Sequence, residues 1–158
     1  MKVCILILMF FSLLHSFGQE SNDCYVKKDF LIITSTKDYQ SALRSAQKAA
    51  KALDIKLDLR GLIKTNDSLV GLSLPSDTCM KYSEDSVCYI ARGRWDDGTY
   101  ISIEYSNAYE AFAKGYYIVV VGSADNKNAE LKSTLKKVKI KYRSAYIKTS
   151  KVYMCCMH

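Results

Sequence analysis

Tyr116-Tyr-Ile-Val-Val-Val121, followed by Gly122-Ser-Ala-Asp125, is the stretch on which the fold turns. Six consecutive aromatic or β-branched apolar residues read as the clearest strand of the chain. Gly122 to Asp125 then turns the chain into a helix. Leu131, Leu135 and Val138 recur at i, i+4 and i+7, which marks one apolar stripe. Ala145-Tyr-Ile-Lys-Thr149 reads as a closing strand, followed by the tail Val152-Tyr-Met-Cys-Cys-Met-His158. The unit is strand, helix, strand.

The same order appears upstream. Phe30-Leu-Ile-Ile-Thr34 is a second apolar, β-branched run. Ser35 and Asp38 match the spacing of a capping box. Tyr39, Ala42, Leu43, Ala46, Ala49, Ala50 and Leu53 then share one helical face. Ile55-Lys-Leu-Asp-Leu59 alternates as a half-buried strand does and stops at Gly61. Ile32-Ile-Thr-Ser-Thr-Lys-Asp38 and Val120-Val-Gly-Ser-Ala-Asp-Asn126 place strand, serine and helix start alike.

Between the two halves, residues 61–86 are polar and rich in turns. Val87–Arg92 and Thr99–Tyr105 are predicted to form a hairpin around Trp95-Asp-Asp-Gly98, since Asp-Gly is a strong hairpin dipeptide. Thr99, Ile101, Ile103 and Tyr105 fall on one face of its second strand, and Tyr100, Ser102 and Glu104 on the other. A short helix is predicted over Asn107–Lys114, closed by Gly115. Two β-α-β units with both helices on one sheet face give an α+β, ferredoxin-like sandwich. The β-hairpin insertion spans about residues 61–115 of a single domain at 19–158.

The N-terminus predicts export. Lys2 precedes an apolar run, Val3–Leu14, and Ser16 and Gly18 stand at −3 and −1 of a cut before Gln19. Residues 1–18 thus read as a signal peptide, too short to span a bilayer comfortably. After cleavage the expected chain is periplasmic or extracellular and has no transmembrane segment.

Charge is uneven. Residues 126–151 hold eight lysines, Arg143 and a single acid, Glu130, whereas the rest of the mature chain is slightly acidic. Such a basic third implies either a solvated face or an anionic neighbour. Export directs that expectation away from nucleic acid and toward anionic wall polymer or lipid headgroups.

Five cysteines follow the cleavage site: Cys24, Cys79, Cys88, Cys155 and Cys156. An oxidising compartment favours their pairing. Cys79 and Cys88 flank a polar stretch able to loop back on itself. In a ferredoxin-like sheet the first and last strands are antiparallel neighbours, which brings Cys24 beside Cys155 or Cys156. The expected bridges are Cys79–Cys88 and Cys24 to one of that terminal pair, leaving one thiol free or linking chains.

Tyr117-Ile-Val-Val-Val-Gly-Ser-Ala-Asp-Asn-Lys-Asn-Ala-Glu130, continuing through Leu131 and Leu135 to Lys137, resembles the SPOR (sporulation-related repeat) family. Phe30 to Leu53 resembles it more loosely. The resemblance implies a periplasmic domain that binds peptidoglycan, preferring glycan strands stripped of stem peptides, through the sheet face that helices leave open.

No catalytic constellation emerges, and no enzyme, cofactor or metal is expected. His15 leaves with the signal peptide, so His158 is the only histidine of the mature chain. Asp96-Asp97 sits in a predicted turn, where aspartate is favoured for its turn chemistry. Met154-Cys-Cys-Met-His158 holds soft ligands suited to Cu(I), but export favours oxidation of the thiols. Arg92, Arg94 and Trp95 at the expected hairpin tip suit ring stacking and charge-assisted hydrogen bonds to a sugar. Tyr100, Tyr116 and Tyr117 are expected to extend that glycan surface. The expected partner is peptidoglycan glycan, or alternatively an envelope protein held by the insertion of a secreted inhibitor, immunity factor or adaptor.

Overall fold

The computed structural model describes residues 24–81 and 84–155. The expected signal peptide and the tail Cys156-Met-His158 lie outside them. In chain order the elements are β1 (Tyr25–Thr36), α1 (Tyr39–Leu53), β2 (Ile63–Lys64), β3 (Leu72–Ser73) and α2 (Ser76–Cys79). They continue with β4 (Gly98–Tyr105), a 3-10 turn (Ser106–Ala108), β5 (Tyr117–Asp125), α3 (Ala129–Lys141) and β6 (Tyr146–Tyr153). The class is α+β, with the main sheet in the order β4-β5-β1-β6 and antiparallel throughout. β2 and β3 form a separate two-stranded ladder. Among the described residues no helix is long and apolar enough to cross a membrane.

β1 shows why its sequence is a continuous apolar run. Leu31 and Ile33 point to the core beneath the helices, with Ala42, Ala46, Ala49, Ile101, Ile103, Leu131 and Val138. Phe30 and Ile32 point the other way, to a second core with Tyr109, Phe112, Ile118, Val120 and Val152. A strand buried on both faces has no polar side to display. β4 keeps the predicted alternation, with Ile101 and Ile103 toward the helices and Ser102 and Glu104 on the far side.

Helix starts differ slightly from expectation. The N-cap of α1 is Asp38, whose carboxylate accepts from the Ser41 amide at 2.8 Å. β5 runs on through Asp125, and Asn128 caps α3 by accepting from the Leu131 amide at 2.9 Å. Gly122 lies within β5, where an added Cβ would meet Leu131 Cδ1 at 2.8 Å. Glycine is needed there because the first turn of α3 lies directly on the strand backbone.

Three expectations are corrected. Val87–Arg92 joins no ladder, so the hairpin does not form; the segment crosses the sheet face opposite the helices, where the Arg92 guanidinium finds buried acceptors. Asn107–Lys114 is helical only in its 3-10 start, because Tyr109 and Phe112 turn inward against Phe30. Ile55–Leu59 contributes one parallel bridge, Leu57 to Ile101, rather than a strand.

Cys24 and Cys155 are bonded with Cα atoms 5.0 Å apart, as are Cys79 and Cys88 at 5.6 Å. The first bridge follows from β1 and β6 pairing in register from Tyr25–Tyr153 to Ile32–Tyr146. Both bridges are consistent with an oxidising, exported location.

Candidate functional site

The sheet face away from the helices is filled by the chain itself. Arg92 is fully buried there. Its Nε donates to Ser123 Oγ at 3.1 Å, its Nη1 to Ser102 Oγ and the Tyr100 carbonyl at 2.9 Å each, and its Nη2 to the Gly98 carbonyl at 2.8 Å. The Tyr100 ring lies 3.6 Å beneath the guanidinium carbon. Burial lowers the pKa of Arg92 from its ordinary value.

Beside it lies Glu104, also without exposure. Its carboxylate accepts from Tyr89 Oη, from Tyr109 Oη at 3.2 Å and from Ser102 Oγ at 2.7 Å. Arg60 donates to it at 3.0 Å and pairs with Asp96 at 2.9 Å. Burial, then the Glu104 charge, raises the phenol pKa of Tyr89 and Tyr109 well above the usual range. For Arg60 burial acts downward, but Glu104 and Asp96 outweigh it and the guanidinium is held more firmly protonated. Arg60 itself has φ 59, a left-handed conformation uncommon outside glycine. Lys28 closes the cluster, pairing with Asp97 at 2.5 Å and Asp125 at 2.7 Å. Through Arg60, Glu104 and Arg92 the network fastens the insertion to the sheet, while Asp96 Oδ1 is buried without a hydrogen-bond partner and the Asp125 carboxylate is largely exposed.

A different surface is presented at the sheet end carrying Cys24 and Cys155. Trp95 is 68% exposed, Tyr25 49% and Tyr153 39%. Tyr25 and Tyr153 meet edge to face, with ring centroids 5.2 Å apart. Arg94 joins them to Trp95: its guanidinium carbon lies 4.7 Å from the Trp95 ring and 5.4 Å from the Tyr153 ring. An Arg94 Nη2 hydrogen bond to the Cys155 carbonyl anchors this group to the disulfide. Among the described residues no carboxylate pairs with Arg94, and its buried Nε has no hydrogen-bond partner. The result is a fixed ridge, Tyr25, Tyr153, Arg94 and Trp95, with an uncompensated cation at its centre.

The six residues expected to form one glycan surface are not brought together. Trp95 is open, and Arg94 is buried behind it. Arg92 is inaccessible, because its charge is consumed by internal acceptors. Tyr100 is half-buried, and its hydroxyl donates to Asp96 at 2.6 Å. Tyr117 points to the helix side, where it meets Tyr39 and Tyr105, whereas its neighbour Tyr116 packs against the opposite core. Tyr25 and Tyr153 were absent from the expectation. The signal for them was available: the strand pairing that places Cys24 by Cys155 also sets Tyr25 opposite Tyr153. No metal-binding cluster of histidine, cysteine or acidic residues occurs among the described residues. Comparison with known proteins finds no matching family model, no matching curated protein and no matching solved structure.

Proposed function

We propose that the chain is an exported, non-enzymatic binding module with a SPOR-like, ferredoxin-like fold, and that it holds cell-wall glycan strands on the Tyr25–Tyr153–Arg94–Trp95 ridge. The fold part is supported by the order of the four long strands and by a helix after the first and third of them. The binding part rests on Trp95, an exposed indole backed by a pinned guanidinium. A ring already fixed in place stacks on the apolar face of a sugar at little entropic cost. The sheet face that the family resemblance points to is filled here by Arg92, Tyr109 and Phe112, so the contact surface shifts to the sheet end.

A second reading, an envelope-protein partner, is favoured by the exposure of Ile63, Leu69 and Met80 along the insertion. Trp, Tyr and Arg also dominate the energetics of protein interfaces. Pull-down on purified sacculi, before and after amidase treatment, tests the glycan reading. Trp95→Ala is expected to weaken binding about tenfold, the equivalent of about 1.4 kcal/mol, with the circular dichroism spectrum unchanged. An isotherm indifferent to Trp95→Ala and Tyr153→Ala transfers the ridge to a protein partner. Failure of the wild type to bind any sacculus preparation removes the glycan function.

A further inference from the structure

α1 and α3 pack side by side on one face of the sheet, and both bury their apolar stripes in the same core. Their outward surfaces therefore form one layer. The two helices together carry eight basic residues and a single acid, Glu130. Arg44, Lys48 and Lys51 on α1, and Lys132, Lys136, Lys137, Lys139 and Lys141 on α3, are all exposed. Lys37, Lys127 and Arg143 extend the layer at its margins and are exposed as well. Asp38 and Asp54 cap α1 at its two ends, and only Asp38 comes near a basic residue of the layer, 3.9 Å from Arg44. Among the described residues, Lys48, Lys51, Lys132, Lys136, Lys137 and Lys139 have no carboxylate within ion-pair distance. Ile140, 81% exposed, is the large apolar side chain projecting from α3 among these lysines.

We infer that this helical layer docks on an anionic lipid bilayer, independently of the aromatic ridge. Its charge and its shape both complement a bilayer surface. Two helices of 15 and 13 residues, each roughly 20 Å long, spread their cations over a broad face rather than along one groove. A planar array of headgroups neutralises such a face at once, whereas a single polymer thread meets only one line of it. Screening confines the effect to contact range, since the Debye length is about 8 Å at physiological salt. Each lysine brought to an anionic bilayer raises affinity about fivefold, so six unpaired lysines suffice for reversible peripheral binding. Ile140 adds one shallow apolar contact, and among the described residues no helix is apolar enough to insert.

The test is sedimentation of the mature protein with vesicles of phosphatidylcholine and phosphatidylglycerol at 70:30, against pure phosphatidylcholine, at low and high salt. Binding is expected only to the anionic vesicles and is expected to fall steeply with salt. Lys136→Gln/Lys137→Gln/Lys139→Gln is expected to lower the affinity about a hundredfold with its melting temperature retained. Ile140→Ser is expected to lower it only a few-fold. Equal binding to both lipids, no binding at low salt, or a triple variant that binds as the wild type does each overturns the inference. Tight binding to soluble polyphosphate with none to vesicles also overturns it, in favour of a polymer. Trp95→Ala is expected to leave vesicle binding unchanged, which separates this face from the ridge.

Discussion

Arg60 Nη1 lies 3.0 Å from Oε2 of Glu104, a carboxylate with no solvent exposure, and this contact fastens the long insertion to the central sheet. Glu104 also accepts from Tyr89 and Tyr109, and through Ser102 it connects to Arg92. Removing one partner of such a pair leaves an uncompensated buried charge. Glu104→Ala is therefore expected to lower stability by about 3–5 kcal/mol in urea unfolding. A loss below about 1 kcal/mol would mean that the network is decoration. A cycle with Arg60→Ala is expected to give a coupling of about 1–3 kcal/mol, as for residues in one network.

The same cluster predicts how stability responds to alkali. Tyr89, Tyr109 and Tyr100 have phenol pKa values raised by burial, so the folded state holds their protons where the unfolded chain releases them. For Lys28 burial acts downward, but the hydrogen bonds to Asp125 and Asp97 outweigh it and its pKa too is raised. A group with a raised folded pKa contributes stability below its unfolded pKa and loses it as pH climbs toward the folded one. Stability is therefore expected to hold through neutral pH and to fall above about pH 10, the ordinary pKa of tyrosine. Ultraviolet titration checks this: the buried tyrosines are expected to ionise only together with unfolding. Free titration of all the tyrosines near pH 10 in a folded protein would contradict the described burial.

The two disulfides act on different elements. On the chain-entropy model the Cys24–Cys155 bridge, spanning 131 residues, contributes about 5 kcal/mol, and Cys79–Cys88, spanning 9, about 2.5 kcal/mol. Cys24→Ser is expected to lower the melting temperature more than Cys79→Ser does. Loss of the first bridge frees Cys155, whose carbonyl accepts from Arg94, and so loosens the Trp95 ridge. Trp95 fluorescence is expected to change on Cys24→Ser and to remain steady on Cys79→Ser. Non-reducing peptide mapping that joins Cys24 to Cys79 or Cys88 would contradict the strand order.

What was legible in the sequence is what periodicity can carry. α1 and α3 each bury a face of helical period, and residues such as Ala46 and Leu131 keep to it, whereas β5 is legible as an unbroken apolar run because both its faces are buried. The start of β1 was hidden, because Lys28 and Asp29 are polar and precede the apolar run, yet both are buried, Lys28 in ion pairs with Asp97 and Asp125 and Asp29 accepting from the Thr149 hydroxyl and the Lys127 amide. The expected hairpin failed for a related reason. Asp97-Gly98 is a strong local signal, but Arg92 has acceptors waiting on β4 and β5, and that long-range demand overrides a two-residue preference. Spacing along the chain carries no trace of Glu104 meeting Arg60, 44 residues away.

Gly71 offers a check on how the insertion is seated. Its φ is 65°, and an added Cβ would fall within 2.6 Å of three Tyr105 ring atoms. The Tyr117 hydroxyl also donates to its carbonyl at 3.3 Å. Gly71→Ala is expected to destabilise by about 1–3 kcal/mol, from overpacking together with left-handed strain. Limited proteolysis is expected to reach residues 61–81 first in that variant. Unchanged stability and unchanged cleavage would mean that the β2–β3 ladder floats free of the core.

Gly122 tests the strand-to-helix junction from which the fold was read. Val121-Gly-Ser123 passes beneath the first turn of α3, with Leu131 Cδ1 only 2.8 Å from where a Cβ would stand. The contacting atom belongs to a side chain, but Leu131 is 4% exposed and has little room to retreat. Gly122→Ala is therefore expected to cost about 1–3 kcal/mol through overpacking. Leu131→Ala alone is expected to cost about 2–5 kcal/mol, since it leaves a cavity beneath α3. If the close approach is the cause, the two losses cannot add: the Gly122→Ala methyl enters space that Leu131→Ala vacates. The double variant is then expected to be more stable than additivity allows by about 1–2 kcal/mol. Strict additivity in urea unfolding would show that Gly122 serves the strand backbone alone, and that α3 is held by Val138 and Leu135 without this contact.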